Sequence, residues 1–295
     1  MANQITDQEI QRQQAVQNTI DAKVKAHQAL TDSDIEFICP VAFKQTLSKQ
    51  EKANLGLSKH YSFVPTSRVI NDLRTMGWNP VDAVQVKARK QSTNGYQKHM
   101  ITFENDSYKT EGATEYPQLL LTNSHDGGNA FTLSAGIFRL VCSNGLVIKT
   151  EDYGTSRLVH KGYSFEAIQN LVNDFVATID ETLTRITAMK EVELTKNQQI
   201  EFAKLAALLR FTEKSYNEDN IADVVDLDDL LSIDRKEDAG DGLWEVYNRV
   251  QESIVQGSFH YIGGNKKSRK ARPIKNFKQS IHVNQKLSEL AFAYV

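Results

Sequence analysis

The sequence predicts an α+β fold: a mainly antiparallel β-meander of about five strands, packed by long C-terminal helices and preceded by a helical N-terminal arm. Three observations predict it. Apolar residues recur with a period of two between residues 81 and 150, they recur at spacings of three and four from Ser164 onward, and residues 1–35 carry few of them.

Residues 1–35, rich in Gln, Asp and Lys, read as a mobile or loosely docked helical arm. A core domain is expected over 36–212 and a helical C-terminal region over 213–295. In "YSFVPTSRVINDLRTMGW", Thr66 or Ser67 is placed to cap a short helix carrying Val69, Ile70, Leu73 and Met76, closed by Gly77. The period then changes. "VDAVQVKAR" alternates, "STNG" supplies a turn, and "YQKHMITFEN" returns as a hairpin partner. "PQLLLTN", "AFTLSAGIFRLVC" and "LVIKT" complete the meander.

After Ser164, residues Phe165, Ile168, Leu171, Val172, Phe175, Val176, Ile179, Leu183 and Ile186 form one helical stripe. Thr195 and Gln198 match a capping box ahead of Ile200, Phe202, Leu205, Leu208 and Leu209. A further helix opens near Asp241, carries Leu243, Val246, Tyr247, Val250 and Ile254, and closes at Gly257. Trp78 and Trp244 sit inside apolar patterns and read as core.

At 295 residues, 40% hydrophobic and 24% charged, the composition is that of a globular protein. The start, MANQITDQEI, lacks the basic head and apolar core of a secretory signal, and no apolar run approaches the ~20 residues of a spanning helix. A cytoplasmic location with no membrane partner is expected. Cys39 and Cys142 are too few for a zinc site and read as reduced core residues, and the seven His lack His-Glu-x-x-His spacing. Neither a metal nor a cofactor is expected.

A formal net charge of −2 hides a strong asymmetry. Glu213 to Glu245 holds twelve acids against Lys214, Arg235 and Lys236, whereas Ile254 to Ser288 holds no acid at all. In "GGNKKSRKARPIKNFK", six cations (Lys266, Lys267, Arg269, Lys270, Arg272 and Lys275) fall within ten residues around a proline that opposes helix. Such a segment reads as extended and adaptable, suited to a phosphate backbone, with Phe259, Tyr261 and Phe277 available to stack on unpaired bases. The alternative is a solvated surface that pairs with the acidic stretch before it.

The stretch "LLLTNSHDGGNAFTLSAGIFRLVCSNGL" mixes turn chemistry with reactive side chains. Asn123, Ser124 and Asp126 with two glycines suit one turn, and Asn144-Gly145 a second. His125 beside Asp126 also offers a base with an orienting carboxylate, and Arg139 a cation for an anion or for a turn carbonyl. No Gly-x-Ser-x-Gly motif or Walker loop accompanies them. In "YGTSRLVHKGYSFE", Arg157, His160 and Lys161 precede the long helix, either as a second basic surface or as scattered charges in a connecting loop.

"HYSFVPTSRVINDLRTMGWNPV", "GYQKHMITF", "LLLTNSHDGGNAF", "FRLVCSNGL", "DGLWEVYNRVQESIVQG" and "RPIKNFKQSIHVNQKL" together resemble a family of phage and plasmid proteins catalogued as a domain of unknown function (DUF932-like). The resemblance covers roughly residues 55–292. Its most specific segment is matched by Arg139, Cys142, Asn144 and Gly145, while Ser288 stands after Leu287 where the family more often has Trp. The resemblance implies a mobile-element origin and a bacterial cytoplasm, and no particular reaction.

The expected function is therefore non-enzymatic binding of single-stranded nucleic acid, of the strand-annealing type used in recombination or replication. Arg139, Arg157, His160 and Lys161 would line a groove along the sheet, the 266–278 run would close over the strand or recruit a second one, and self-association into a homo-oligomer would extend the groove. A meander followed by a long helix is also how one class of annealing recombinases is built, an analogy of fold alone. Two alternatives stand beside it: a protein-binding regulator or anti-defence factor with a host-protein partner, and a nucleotide or nucleic-acid enzyme using His125 and Asp126.

Overall fold

Helix starts in this chain are written as capping boxes. Thr6, Thr31, Ser48 and Thr195 each accept the amide three residues on, while Glu9, Asp34, Glu51 and Gln198 return a bond to the capping residue's own amide. The computed structural model describes residues 6–88, 90–109, 115–128, 131–139, 156–157, 163–211, 216–263, 265–275 and 277–295. The fold is α+β. Two compact units are present: Met1–Glu111 with Pro117–Ala135 and Tyr153–Asn173, and Gly112–Tyr116 with Gly136–Asp152 and Asp174–Val295.

In the first unit, α1 (Asp7–Lys25) and α2 (Asp32–Ile38) form the N-terminal arm. Ile20 is the buried residue of α1, as its polar composition requires. The arm is docked at its far end. Leu30 is buried and its amide donates to the Pro80 carbonyl at 2.7 Å, while His27 Nδ1 donates to Glu104 Oε1 at 2.6 Å. Burial pushes the Glu104 carboxyl up, but His27, Lys109 and Gln118 together hold it below its ordinary value.

After α3 (Lys49–Asn54), α4 (Thr66–Thr75) buries Val69, Ile70 and Leu73 and ends before Gly77, whose φ of 82° only glycine adopts without strain. Thr66 does not cap this helix. Pro65 holds the capping position and makes no side-chain bond there, which frees the Thr66 hydroxyl for the sheet. Strands β1 (Asn79–Gln85), β2 (His99–Glu104), β3 (Glu115–Asn123), β4 (Thr132–Arg139) and β5 (Ser156–Arg157) follow in the spatial order β1-β2-β3-β4-β5. The pairs β1–β2, β2–β3 and β4–β5 are antiparallel, so the expected meander is present. Its fifth member is the two-residue β5, and "LVIKT" lies outside the described residues. The last residues of β4 and the first of β3 belong to the second unit.

Helix α5 (Phe165–Glu191) begins where Ser164 Oγ accepts the Ala167 amide, and from Asp174 it belongs to the second unit. There it is joined by α6 (Lys196–Leu208), the single turn α7 (Leu227–Leu230), α8 (Leu243–Gln256), the hairpin β6 (His260–Ile262) and β7 (Ser268–Lys270), and α9 (Phe277–Phe292). The core collects Ile186, Met189, Phe202, Trp244, Tyr247, Val250, Ile254, Phe259 and Leu287. Ser288 is buried and its hydroxyl donates to the Gln285 carbonyl. No described helix is long and apolar enough to cross a membrane.

Gly257 closes α8 with φ 68°, and a Cβ there would lie 2.6 Å from the Arg272 carbonyl carbon. Replacing it by alanine should therefore add both backbone strain and a clash with main chain that cannot rotate away. The expected loss is on the order of 3 kcal/mol, read as a lowered urea midpoint. A midpoint within error of the parent would show that the segment after β7 is not fixed against α8.

Candidate nucleic-acid interface

The basic run is largely a hairpin in the structure. His260, Tyr261 and Ile262 pair antiparallel with Lys270, Arg269 and Ser268, and the connection turns on bonds from Gly263 N to Lys267 O and from Lys266 N to Gly263 O. Lys266 sits at the tip with φ 57°, a left-handed position where glycine is the less strained residue. The segment after β7 is not regular, and Phe277 and Lys278 open α9 rather than continue an extended run.

All six cations from Lys266 to Lys275 are exposed, and none of them forms an ion pair among the described residues. The acidic stretch does fold back beside them. Val225 bridges Tyr261 on the side of β6 away from β7, with Ile262 N donating to Val224 O and Asp226 N to His260 O. The contact between the two charged segments is made by His260, whose amide and Nδ1 both donate to Asp229 Oδ2, at 2.8 and 2.7 Å. His260 chiefly holds the Asp229 carboxyl below its ordinary value, and Lys270 adds a smaller Coulombic pull. The alternative in which the acids neutralise the run is therefore met at one pair and not at the six cations.

Two of the three aromatic residues pack inward. Phe259 is fully buried, and the Tyr261 ring packs edge-on against Phe211 with centroids 5.3 Å apart. The side chain of Phe277 lies outside the described residues. What the hairpin offers is charge: ammonium and guanidinium groups on and beside a two-stranded support, with the Phe259 and Tyr261 rings packed toward the core.

The polar loop of the first unit is a buried network. His99 and Asn123 face one another across β2 and β3, and Thr66 meets both. The hydrogen positions follow from the partners. A carbonyl only accepts, so His99 Nδ1 donates to Gln97 O at 3.0 Å; its Nε2 then accepts from the Thr66 hydroxyl at 2.8 Å, and the Thr66 oxygen accepts from Asn123 Nδ2 at 3.0 Å. His125 lies beside this network, its ring 5.3 Å from His99 and 4.6 Å from Phe63. Its Nε2 donates to Val41 O at 3.2 Å, and its Nδ1 is buried with no partner among the described residues.

Burial first, and then the neighbouring His99, push the His125 pKa down to about 3. Asp126 serves the turn instead: its Oδ1 accepts the Gly128 amide at 2.9 Å, and Gly127 takes φ 73°. No described hydrogen bond joins His125 to Asp126, so the base-and-carboxylate pair expected from their adjacency is not assembled. Arg139 ends β4 and Arg157 lies in β5 opposite Thr132, but their side chains, and all of Asn144, His160 and Lys161, lie outside the described residues.

Comparison with known proteins places these features in a family. The family described as a domain of unknown function (DUF932) matches residues 56–288. Among curated proteins, the UPF0380 protein YafZ of Escherichia coli (strain K12) is 27% identical over 272 residues, covering 92% of this chain and 93% of that protein. The UPF0380 protein YfjQ of the same strain is 27% identical over 234 residues, covering 79% of this chain and 80% of its own length. No solved structure matches. From residue 56 to 288, a span that includes both the buried histidine network and the basic hairpin, the chain belongs to the DUF932 family.

Proposed function

We propose that this protein binds nucleic acid without catalysis, holding the phosphate backbone of a single DNA strand on the β6–β7 hairpin and the segment that follows it. One observation carries the reading: six exposed cations without ion-pair partners among the described residues, gathered on one support in a chain of net charge −2. Cations that form no ion pair among the described residues are available to a polyanion, and each phosphate engaged releases condensed counterion. Because Phe259 and Tyr261 serve the core, affinity comes from phosphates more than from stacked bases, and the binding is tolerant of sequence. Arg139, Arg157, His160 and Lys161 extend the same chemistry, and self-association lengthens the path of the strand.

The biological setting that fits is a phage or plasmid strand-annealing protein acting in recombination or replication in the bacterial cytoplasm. The catalytic alternative gains nothing from a histidine that is buried, neutral and not bonded to Asp126. The test is fluorescence anisotropy of the purified protein with a labelled single strand of ~30 nucleotides at several salt concentrations, with a matched duplex beside it. Binding that weakens by orders of magnitude as salt rises is expected. An absence of binding at low salt would remove the proposal and turn the search to protein partners.

A further inference from the structure

The hairpin and the acidic segment beside it carry two rows of opposite charge that form no Lys–Asp or Arg–Asp ion pair with each other among the described residues. Directly opposed residues of an antiparallel pair point to the same face, so the Val225–Tyr261 and Tyr261–Arg269 pairs put those three side chains together. Asp226, His260 and Lys270 then fall on the opposite face in one line across three strands. Two strand spacings, about 10 Å, separate the ends of that line. Asp223, Asp226 and Asp228 are exposed, line an open groove of ≈ 500 Å³ with His260, Ile262 and Ser268, and form no ion pair among the described residues.

We infer that this acid row is a specificity element that makes the basic hairpin select a single strand over a duplex. The inference rests on the nucleic-acid reading and names the residues that would set its preference. A single strand presents one line of phosphates and can follow Lys266, Lys270, Arg272 and Lys275 while keeping clear of the acids. A duplex presents two rails across grooves about 6–12 Å wide, so a rail seated on the cations carries the other over Asp223, Asp226 and Asp228. Like charges brought together at that range disfavour the duplex without touching the single strand.

The test is the triple substitution Asp223→Asn, Asp226→Asn and Asp228→Asn, titrated with a labelled single strand of ~30 nucleotides and its matched duplex. Asparagine at 226 keeps the side-chain acceptor that caps α7, where Asp226 Oδ1 receives the Asp228 and Asp229 amides. If the triple variant does not fold, the double substitution at 223 and 228 leaves that cap untouched and serves in its place. A control with Glu181, Glu191 and Glu193 changed to Gln carries the same change in net charge on and just beyond α5. The acid variant should tighten duplex binding about tenfold or more, leave single-strand binding within about threefold, and differ from the control in that ratio. Equal tightening for both ligands, or a ratio matched by the control, would overturn the acid row while leaving the hairpin as the binding surface. If the parent protein binds neither ligand, the nucleic-acid reading fails and this inference fails with it.

Discussion

Alanine at Lys266, Lys267, Arg269 and Lys270 together should cost on the order of 10²–10³-fold in affinity for a single strand at 0.1 M salt, and should reduce the salt slope by about 3. The size follows from counterion release, about 0.7 in slope per phosphate on a single strand, multiplied over four side chains that form no ion pair among the described residues. Folding should be almost untouched. The four side chains are exposed and anchor no described ion pair, so the melting midpoint should stay within the effect of about 0.5 kcal/mol typical of surface changes. The two readouts separate the possibilities. A sharp fall in melting with an unchanged salt slope would mean that the run braces the second unit; unchanged affinity and slope would place the binding surface elsewhere.

Stability should fall steeply between about pH 6.5 and pH 4, well before surface carboxylates protonate. His99 and His125 are buried, and burial lowers the pKa of both, that of His125 to about 3. An unfolded histidine takes up a proton near pH 6.5, so below that value the unfolded chain binds more protons than the folded one. Stabilisation by each ring is therefore complete above about pH 6.5 and is lost as pH falls toward the folded value, at up to about 1.4 kcal/mol per pH unit per site. Glu104, whose folded pKa is also lowered, adds its own loss only below the ordinary carboxylate range, near pH 4.3. Urea midpoints measured at intervals from pH 7.5 to 4 would show the slope. His125→Phe keeps a ring against Phe63 and removes the unpartnered Nδ1, so it should flatten that slope by about half without abolishing folding. A stability flat from pH 7 to 5 would contradict both buried histidines.

The helices of this chain are legible because their signals are local. The stripe from Phe165 to Ile186, the Thr195–Gln198 box and the stop at Gly257 all appear where the spacing places them. Thr66 misleads for the opposite reason: its partners His99 and Asn123 lie 33 and 57 residues away, and a local reading sees only a good capping residue. The same distance hides the histidine network, since nothing in "NSHDGG" states that α4 and β2 will close over it. In the hairpin, strands of three residues are too short to show a period of two, so the run reads as irregular and the basic density is seen without its support. The pairing of Val225 with Tyr261 has no local signal at all. Tyr261 was legible as an aromatic beside cations, but its commitment to Phe211 depends on how α6 ends.

The docked N-terminal arm has a consequence for the sheet as an object that can meet other chains. Strand β1 lies at the end of the strand order, so its outer row of main-chain groups has no neighbouring strand among the described residues. The arm and the turn after it take up part of that row's surroundings: Leu30 donates to the Pro80 carbonyl, and the Val41 amide is held by the Gln85 side chain. A chain cut back to residue 36 would keep the strand and lose the Leu30 bond and the buried Leu30, Ile35 and Ile20 side chains that sit with it. Removing the polar front of the chain should therefore uncover the Pro80 carbonyl and part of the β1 edge, and a lower urea midpoint for a chain starting at residue 36 would show that the docked arm contributes to the stability of the sheet.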